Sequence, residues 1–139
     1  PGLKADDLAK MLGAGHPINP GFELVKYSQG SVRHRHYPPD IKTNAEMTPQ
    51  ELAQIYLVGQ AAALVSATEV ISKSSEAKYK EAQSKRVEIA KSALGGVSEA
   101  AGLLAAPTRE NAIKFVQSIA GKDLTSAVGS KLPAKSDYK

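Results

Sequence analysis

The residue types best suited to catalysis or metal binding lie outside the helical part of the chain. The three histidines, His16, His34 and His36, all precede residue 47. A nucleophilic triad or a helical metal site among the later residues therefore has no imidazole to use. His34 and His36 would point the same way on an extended strand, but only Asp40 or the distant His16 could complete a metal site. We expect no such catalysis, no metal and no other cofactor.

Two glycine-containing segments match nucleotide-binding loops only in part. Gly121-Lys122 lacks the rest of a Walker-type loop, because Val116 and Asp123 occupy the positions that need Gly and Ser or Thr. The segment 13–15 is too short for a dinucleotide fingerprint and follows no strand pattern. Without cysteine the chain also lacks disulfides, thiolate zinc sites and cysteine nucleophiles. The sequence thus favours a protein that is not an enzyme and has no small-molecule substrate.

The basic segment, residues 26–42, is the most distinctive cluster of polar side chains. Its cations are Lys26, Arg33, Arg35 and Lys42, and Tyr27, His34, His36 and Tyr37 lie among them. An extended chain of this composition can follow a nucleic-acid groove, with arginines on phosphates and tyrosines packed on sugars or bases. A segment that docks on a neighbouring protein can have the same composition, so both interpretations stay open.

A second group of cations is expected on a helix. Lys73, Lys80 and Lys91 are spaced by 7 and 11 residues, which places them on one helical face, and Arg86 lies nearby. Interleaved glutamates can pair with them locally, so a solvated helix face is the alternative. The candidate nucleic-acid contacts of the whole chain are Lys26, Arg33, His34, Arg35, Lys42, Lys73, Lys80, Arg86 and Lys91.

Bulk charge agrees with an anionic partner without requiring one. The net charge is +4, far below that of a histone-like chain, so a nucleic-acid role depends on local clusters. The first residues lack the charged start and apolar block of a signal peptide, and we expect a protein that is not secreted.

The elements that must position these residues begin with a capping box, Thr48-Pro49-Gln50-Glu51, which predicts a helix start. The helix is apolar around much of its circumference, which predicts burial between neighbours. Its length to residue 71 would span a bilayer, but Gln54, Gln60 and Glu69 argue against that.

Further helices are predicted from the same kind of signals. A break at 72–75 separates a second helix that ends at Leu94, and a short helix covers 97–106. Thr108 caps another helix, followed by a last turn at 123–128. The predicted buried stripe of the helix that follows Thr108 is Ile113, Val116, Ile119 and Ala120.

Glycines and prolines interrupt residues 13–47, which predicts extended chain rather than helix, with a short strand at 22–27 as the weaker alternative. The sequence therefore predicts an all-α protein. A small helical bundle at 48–129 follows an extended N-terminal arm at 1–47, which has a short helix near 5–12, and a flexible basic tail at 130–139 ends the chain. The arm buries little of its own surface, so we expect it to be buried against a partner.

The order of an extended basic arm, an Ala-rich bundle and a helix start at 106–113 (APTRENAI) resembles the major capsid proteins of archaeal rod-shaped and filamentous double-stranded DNA viruses. The likeness covers the organisation of nearly the whole chain. It implies non-enzymatic virion subunits that form homodimers or heterodimers and stack helically along A-form DNA without sequence specificity. It also implies that the nine candidate contacts above face the DNA. The main alternative is a non-catalytic accessory subunit of a large assembly, whose arm docks on partner proteins.

Overall fold

The fold is all-α, as predicted, over the part of the chain that the structure describes. A computed structural model describes residues 5–31, 33 and 44–139. Within these residues the α-helices are α1 (Ala5–Gly13), α2 (Leu24–Ser28), α3 (Pro49–Lys73), α4 (Ala77–Leu94), α5 (Ala101–Ala105), α6 (Arg109–Ile119) and α7 (Thr125–Val128). Short 3-10 turns cover Ser98–Ala100, Gly129–Lys131 and Lys135–Asp137.

The capping box at the start of α3 is confirmed. The backbone N–H of Glu51 donates to Thr48 Oγ1 over 3.2 Å, and the backbone N–H of Thr48 donates to Glu51 Oε2 over 2.7 Å. Pro49 takes the first helical position, where its missing N–H costs nothing. The start of the central helix is thus determined locally.

Helices α3 and α4 form the hairpin on which α1, α2, α6 and α7 pack. The predicted break is confirmed, since α3 ends at Lys73 and Ser74 accepts a hydrogen bond from the backbone N–H of Glu76. Small buried residues such as Ala61 and Ala90 let the two helices pack closely. The largest fully buried side chains of this core are Leu57, Leu64, Leu94, Leu103, Ile119, Val25 and Val128.

Helix α6 packs on α3 with a face that differs in part from the predicted stripe. Thr108 caps the helix by accepting from the backbone N–H of Asn111. Phe115 and Ile119 are buried, whereas Ile113 is 48% exposed. The reason is geometric, because residue 113 lies about 200° around the helix from residue 115. Ala120 is also exposed, since it lies beyond the end of the helix.

The N-terminal arm contains a helix where extended chain was expected. The Glu23 carboxylate caps α2 by accepting from the backbone N–H groups of Val25 and Lys26, over 2.9 and 2.8 Å. Val25 is fully buried in the core, and α2 contacts α3 while α1 contacts α4. Neither the extended chain nor the short strand occurs at residues 24–28, and the expected burial against a partner does not apply to Val25.

The C-terminal residues also contact the body of the protein. The backbone N–H of Lys139 donates to the Lys26 carbonyl over 2.9 Å, and the half-buried Leu132 and Tyr138 pack against the core. These two side chains bury apolar surface where the sequence predicted little to bury, and the flexibility of residues 130–139 stays a prediction. The division of the chain into units at residues 47 and 129 stays a prediction.

Helix α3 is, among the described residues, the one helix long and apolar enough to cross a membrane by length and composition. A third of its apolar window, 33%, is buried inside the protein. The same test is passed by core helices, and α3 supplies Leu57 and Leu64 to the core.

Replacing Thr48 with alanine tests whether the capping box stabilises the fold. We expect the free energy of unfolding to fall by about 1 kcal/mol, because an N-terminal N–H of α3 loses its acceptor. Urea unfolding followed by circular dichroism measures this. Ser84→Ala, at an exposed site in the middle of α4, is the matched control and should cost nothing. Equal effects from the two variants would contradict the local origin of the helix start.

Candidate nucleic-acid interface

The structure describes six of the nine predicted nucleic-acid contacts. His34, Arg35 and Lys42 lie outside the described residues. The others separate into two groups: Lys26 and Arg33 lie near the start of the basic segment, whereas Lys73, Lys80, Arg86 and Lys91 lie on the α3–α4 hairpin.

The described residues on either side of positions 34–43 are held together. The backbone N–H of Arg33 donates to Asn44 Oδ1 over 2.6 Å, and Arg33 Nη1 donates to the Asn44 carbonyl over 2.9 Å. The Asn44 side-chain amide donates to the Ser31 carbonyl over 2.9 Å. Asn44 has a φ of +48°, a backbone conformation in which asparagine is enriched. Arg33 and Asn44 are therefore in direct contact, although 11 positions separate them.

Glu46 connects Arg33 to the C-terminal residues. Its Oε1 lies 3.2 Å from Arg33 Nη2, and its Oε2 lies 2.7 Å from Lys135 Nζ. The hydrogen bond from Lys135, the charge of Lys135 and the charge of Arg33 together lower the pKa of the Glu46 carboxyl. We call these three side chains the Arg33–Glu46–Lys135 network. Ion pairs at such an exposed position contribute little net stability, so its effect is mainly positional.

Arg33 already has partners within the chain, and its predicted contact with nucleic acid stays a prediction. Its guanidinium, with a side chain 29% exposed, is already bonded to Asn44 and Glu46. We interpret Arg33 as a residue that positions the basic segment. Sequence reasoning missed Asn44 and Glu46, because partners 11 and 13 residues away leave no periodic signal.

Lys26 lies under the C-terminal residues. Its carbonyl accepts from the backbone N–H of Lys139, and the residue is half-buried. Nearby, a Cβ added at Gly30 would lie 1.5 Å from the Lys139 carbonyl oxygen. Only glycine fits there, so the close approach of residue 139 depends on it.

The cations of α4 form two rows rather than one stripe. At 100° per residue, Lys80 and Lys91 lie within about 20° of each other, and Lys78 and Lys85 form a separate row. Acidic residues lie between the rows, and Glu81 pairs with Lys85 at 2.9 Å. The outer face of α4 is thus of mixed charge.

Lys73 and Arg86 do not belong to either row. Lys73 is the last residue of α3, so it lies before the break and not on α4. It pairs with Glu69, one helical turn earlier. Arg86 points away from the lysine rows and lines a pocket between α2 and α3, where its Nη1 donates to Gln83 Oε1 over 3.3 Å. Lys80 and Lys91 are the described helix positions that keep the predicted geometry, and neither has an ion pair within the described residues.

An apolar groove runs between α3 and α6. It has a volume of about 390 Å³, and it is bounded at one end by Glu69 and Arg109. Its walls include the half-buried Val58, Val65 and Val116 and the exposed Ile113. We call this surface the α3/α6 groove. Apolar surface of this kind suits contact with another protein.

Within the described residues no group of three or more His, Cys, Asp or Glu side chains is arranged to hold a metal ion. Comparison of the chain with family models, curated proteins and solved structures gives no match. The resemblance to archaeal virus capsid proteins stays a prediction from the order and composition of the chain.

The Arg33–Glu46–Lys135 network predicts a pH-dependent contribution to stability. The pKa of Glu46 is lowered in the folded chain, so its contribution is complete above the usual value of 4.5 and is lost as the pH falls through the lowered value. We expect Glu46→Gln to lower the melting temperature at pH 7 and to converge with the wild type in acid. Glu88→Gln, on the exposed face of α4, is the control. A deficit of the same size at every pH would show that the charge of Glu46 is irrelevant.

Proposed function

We propose that this protein is a structural, non-catalytic subunit of a helical nucleoprotein assembly. It binds double-stranded DNA without sequence specificity, through phosphate contacts and side-by-side packing of subunits, in the virion that the capsid resemblance implies. The observation that supports this most is the contact of Arg33 with Asn44 and Glu46, because Glu46 also pairs with Lys135 and so joins the basic segment to the C-terminal residues.

In this proposal the phosphate contacts come mainly from His34, Arg35 and Lys42. Arg33, Asn44 and Glu46 hold the described residues on either side of this stretch in contact. Because these flanking residues are already ordered, less conformational entropy is lost on binding, and each contact contributes more to affinity. Each subunit contributes few charges, and repeated subunits along the duplex compensate through their combined effective concentration.

Lys80 and Lys91 supply a second set of contacts in the proposal. Both are on α4, and Lys91 is exposed. The acidic row beside them favours a single line of phosphates over a broad contact, because a wider surface would bring phosphates against Glu81 and Glu88. Lys73 and Arg86 are expected to contribute less, since each already bonds within its own subunit.

Side-by-side packing is assigned to the α3/α6 groove, with a second copy of the chain or a paired subunit as the partner. The same groove favours the alternative function, an accessory subunit that docks on other proteins of a large assembly. The two functions differ in one property: only the nucleoprotein subunit binds a duplex with an affinity that falls steeply as salt rises.

Arg35→Ala separates the two functions and locates the DNA contact. We expect random-sequence duplex binding, measured by fluorescence anisotropy over a salt series, to lose about one unit of the slope of log K against log salt. Lys114→Ala removes one positive charge from the exposed side of α6, outside the lining of the α3/α6 groove, and should keep the wild-type slope. Arg33→Ala should also weaken binding, but with a lower melting temperature that Arg35→Ala does not show.

Two results would contradict the proposal. An Arg35→Ala slope equal to that of the wild type would remove the basic segment from the interface. Absence of duplex binding by the wild type at low salt would favour the accessory subunit.

A further inference from the structure

A second pocket, about 320 Å³ in volume, lies between α2 and α3 and is separate from the α3/α6 groove. Gln60 and Arg86 line it from the hairpin, Glu23 and Leu24 line it from the arm, and the half-exposed Phe22 lies beside them. Pockets of this size are at the lower end of those that hold small molecules. Neither nucleic-acid contact nor subunit packing in the proposed function uses it.

The Gln60 side chain is the first sign that this pocket has a ligand. The residue is only 5% exposed, yet its side-chain amide makes no hydrogen bond with the part of the chain that the structure describes. A buried amide normally has partners for its N–H and C=O groups, because leaving water without them is unfavourable. Gln83, which is 3% exposed, has at least one such partner, since its Oε1 accepts from Arg86. Gln60 therefore has unused hydrogen-bonding capacity facing the pocket.

Arg86 supplies the charge. Its Nη1 bond to Gln83 is its one hydrogen bond to the described residues, so the remaining guanidinium N–H groups have no partner there. A planar guanidinium with two parallel donors matches the two oxygens of a carboxylate. The half-buried position of Arg86 strengthens such a contact compared with an exposed lysine.

The remaining walls decide which anion fits. The Glu23 carboxylate is held by two backbone N–H groups of α2 and also lines the pocket. Its negative charge opposes every anion, and it opposes a doubly charged phosphate more than a singly charged carboxylate. Because both Glu23 oxygens are taken by backbone N–H groups, Glu23 makes no ion pair with Arg86 within the described residues, and the guanidinium stays available to a ligand. Leu24 and Ala63 are apolar and suit a short hydrocarbon chain.

We propose that the pocket between α2 and α3 binds a short aliphatic monocarboxylate. The Arg86 guanidinium holds the two carboxylate oxygens, the Gln60 amide donates to one of them, and Leu24 and Ala63 contact the hydrocarbon. This binding is independent of the nucleic-acid role.

The test follows the Arg86 Nε–H and Gln60 side-chain NH₂ signals of the full chain by NMR during titration at constant ionic strength. Sodium butyrate is the probe. Sodium phosphate tests an anion without a hydrocarbon chain, and butyramide tests the same hydrocarbon chain without the charge. We expect butyrate alone to shift both signals saturably. Saturation by phosphate or butyramide at the same concentrations would overturn the assignment, as would the absence of saturation with butyrate.

Two variants separate binding from folding. Arg86→Lys keeps the charge but loses the two parallel donors, and should weaken butyrate binding at least tenfold. Gln60→Leu should weaken it similarly while the melting temperature stays equal or rises, because an unpaired buried amide is removed. Arg109→Lys is the control and should bind as the wild type does. Unchanged butyrate binding in Gln60→Leu would contradict the proposal even if Arg86→Lys failed to fold.

Discussion

The burial of α3 is the interaction on which the rest of the described structure depends. This helix is apolar on most of its sides, so no single neighbour can cover it, and α2, α4, α6 and α7 each contact a different part. Leu57 and Leu64 are fully buried where these contacts converge. Because the covering is incomplete between α3 and α6, the same property that builds the core also leaves an apolar groove at the surface.

Contacts made by the two ends of the chain explain how a basic cluster can be attached to this core. Val25 enters the core, and Glu46 bonds to both Arg33 and Lys135, which are distant in sequence. Exposed ion pairs add little stability, but together with Asn44 they hold Arg33 beside Glu46 and Lys135. The sequence predicted an extended arm that buries little of its own surface, whereas Val25 of that arm is buried in the core.

Local signals explain what could be predicted. The Thr48 and Thr108 caps and the break at Ser74 depend on residues within a few positions of one another, and all three are confirmed. Helix α2 was missed because its cap is Glu23, a residue type outside the preferred Ser, Thr, Asp and Asn. The Lys135–Glu46 pair spans 89 residues, and no periodicity reveals such a contact. Gln60 looked only like a polar residue in an apolar helix, since its lack of a partner is a property of packing.

Amide hydrogen exchange of residues 25–28 tests most directly whether α3 organises the N-terminal arm as well as the bundle. If α2 is part of the core, its protected amides, Val25, Lys26 and Tyr27, should exchange on a timescale close to that of Leu57 in the middle of α3. Exchange of these amides at the rate of an unfolded chain, while Leu57 stays protected, would contradict the account. The N-terminal arm would then be expected to become buried only against a partner.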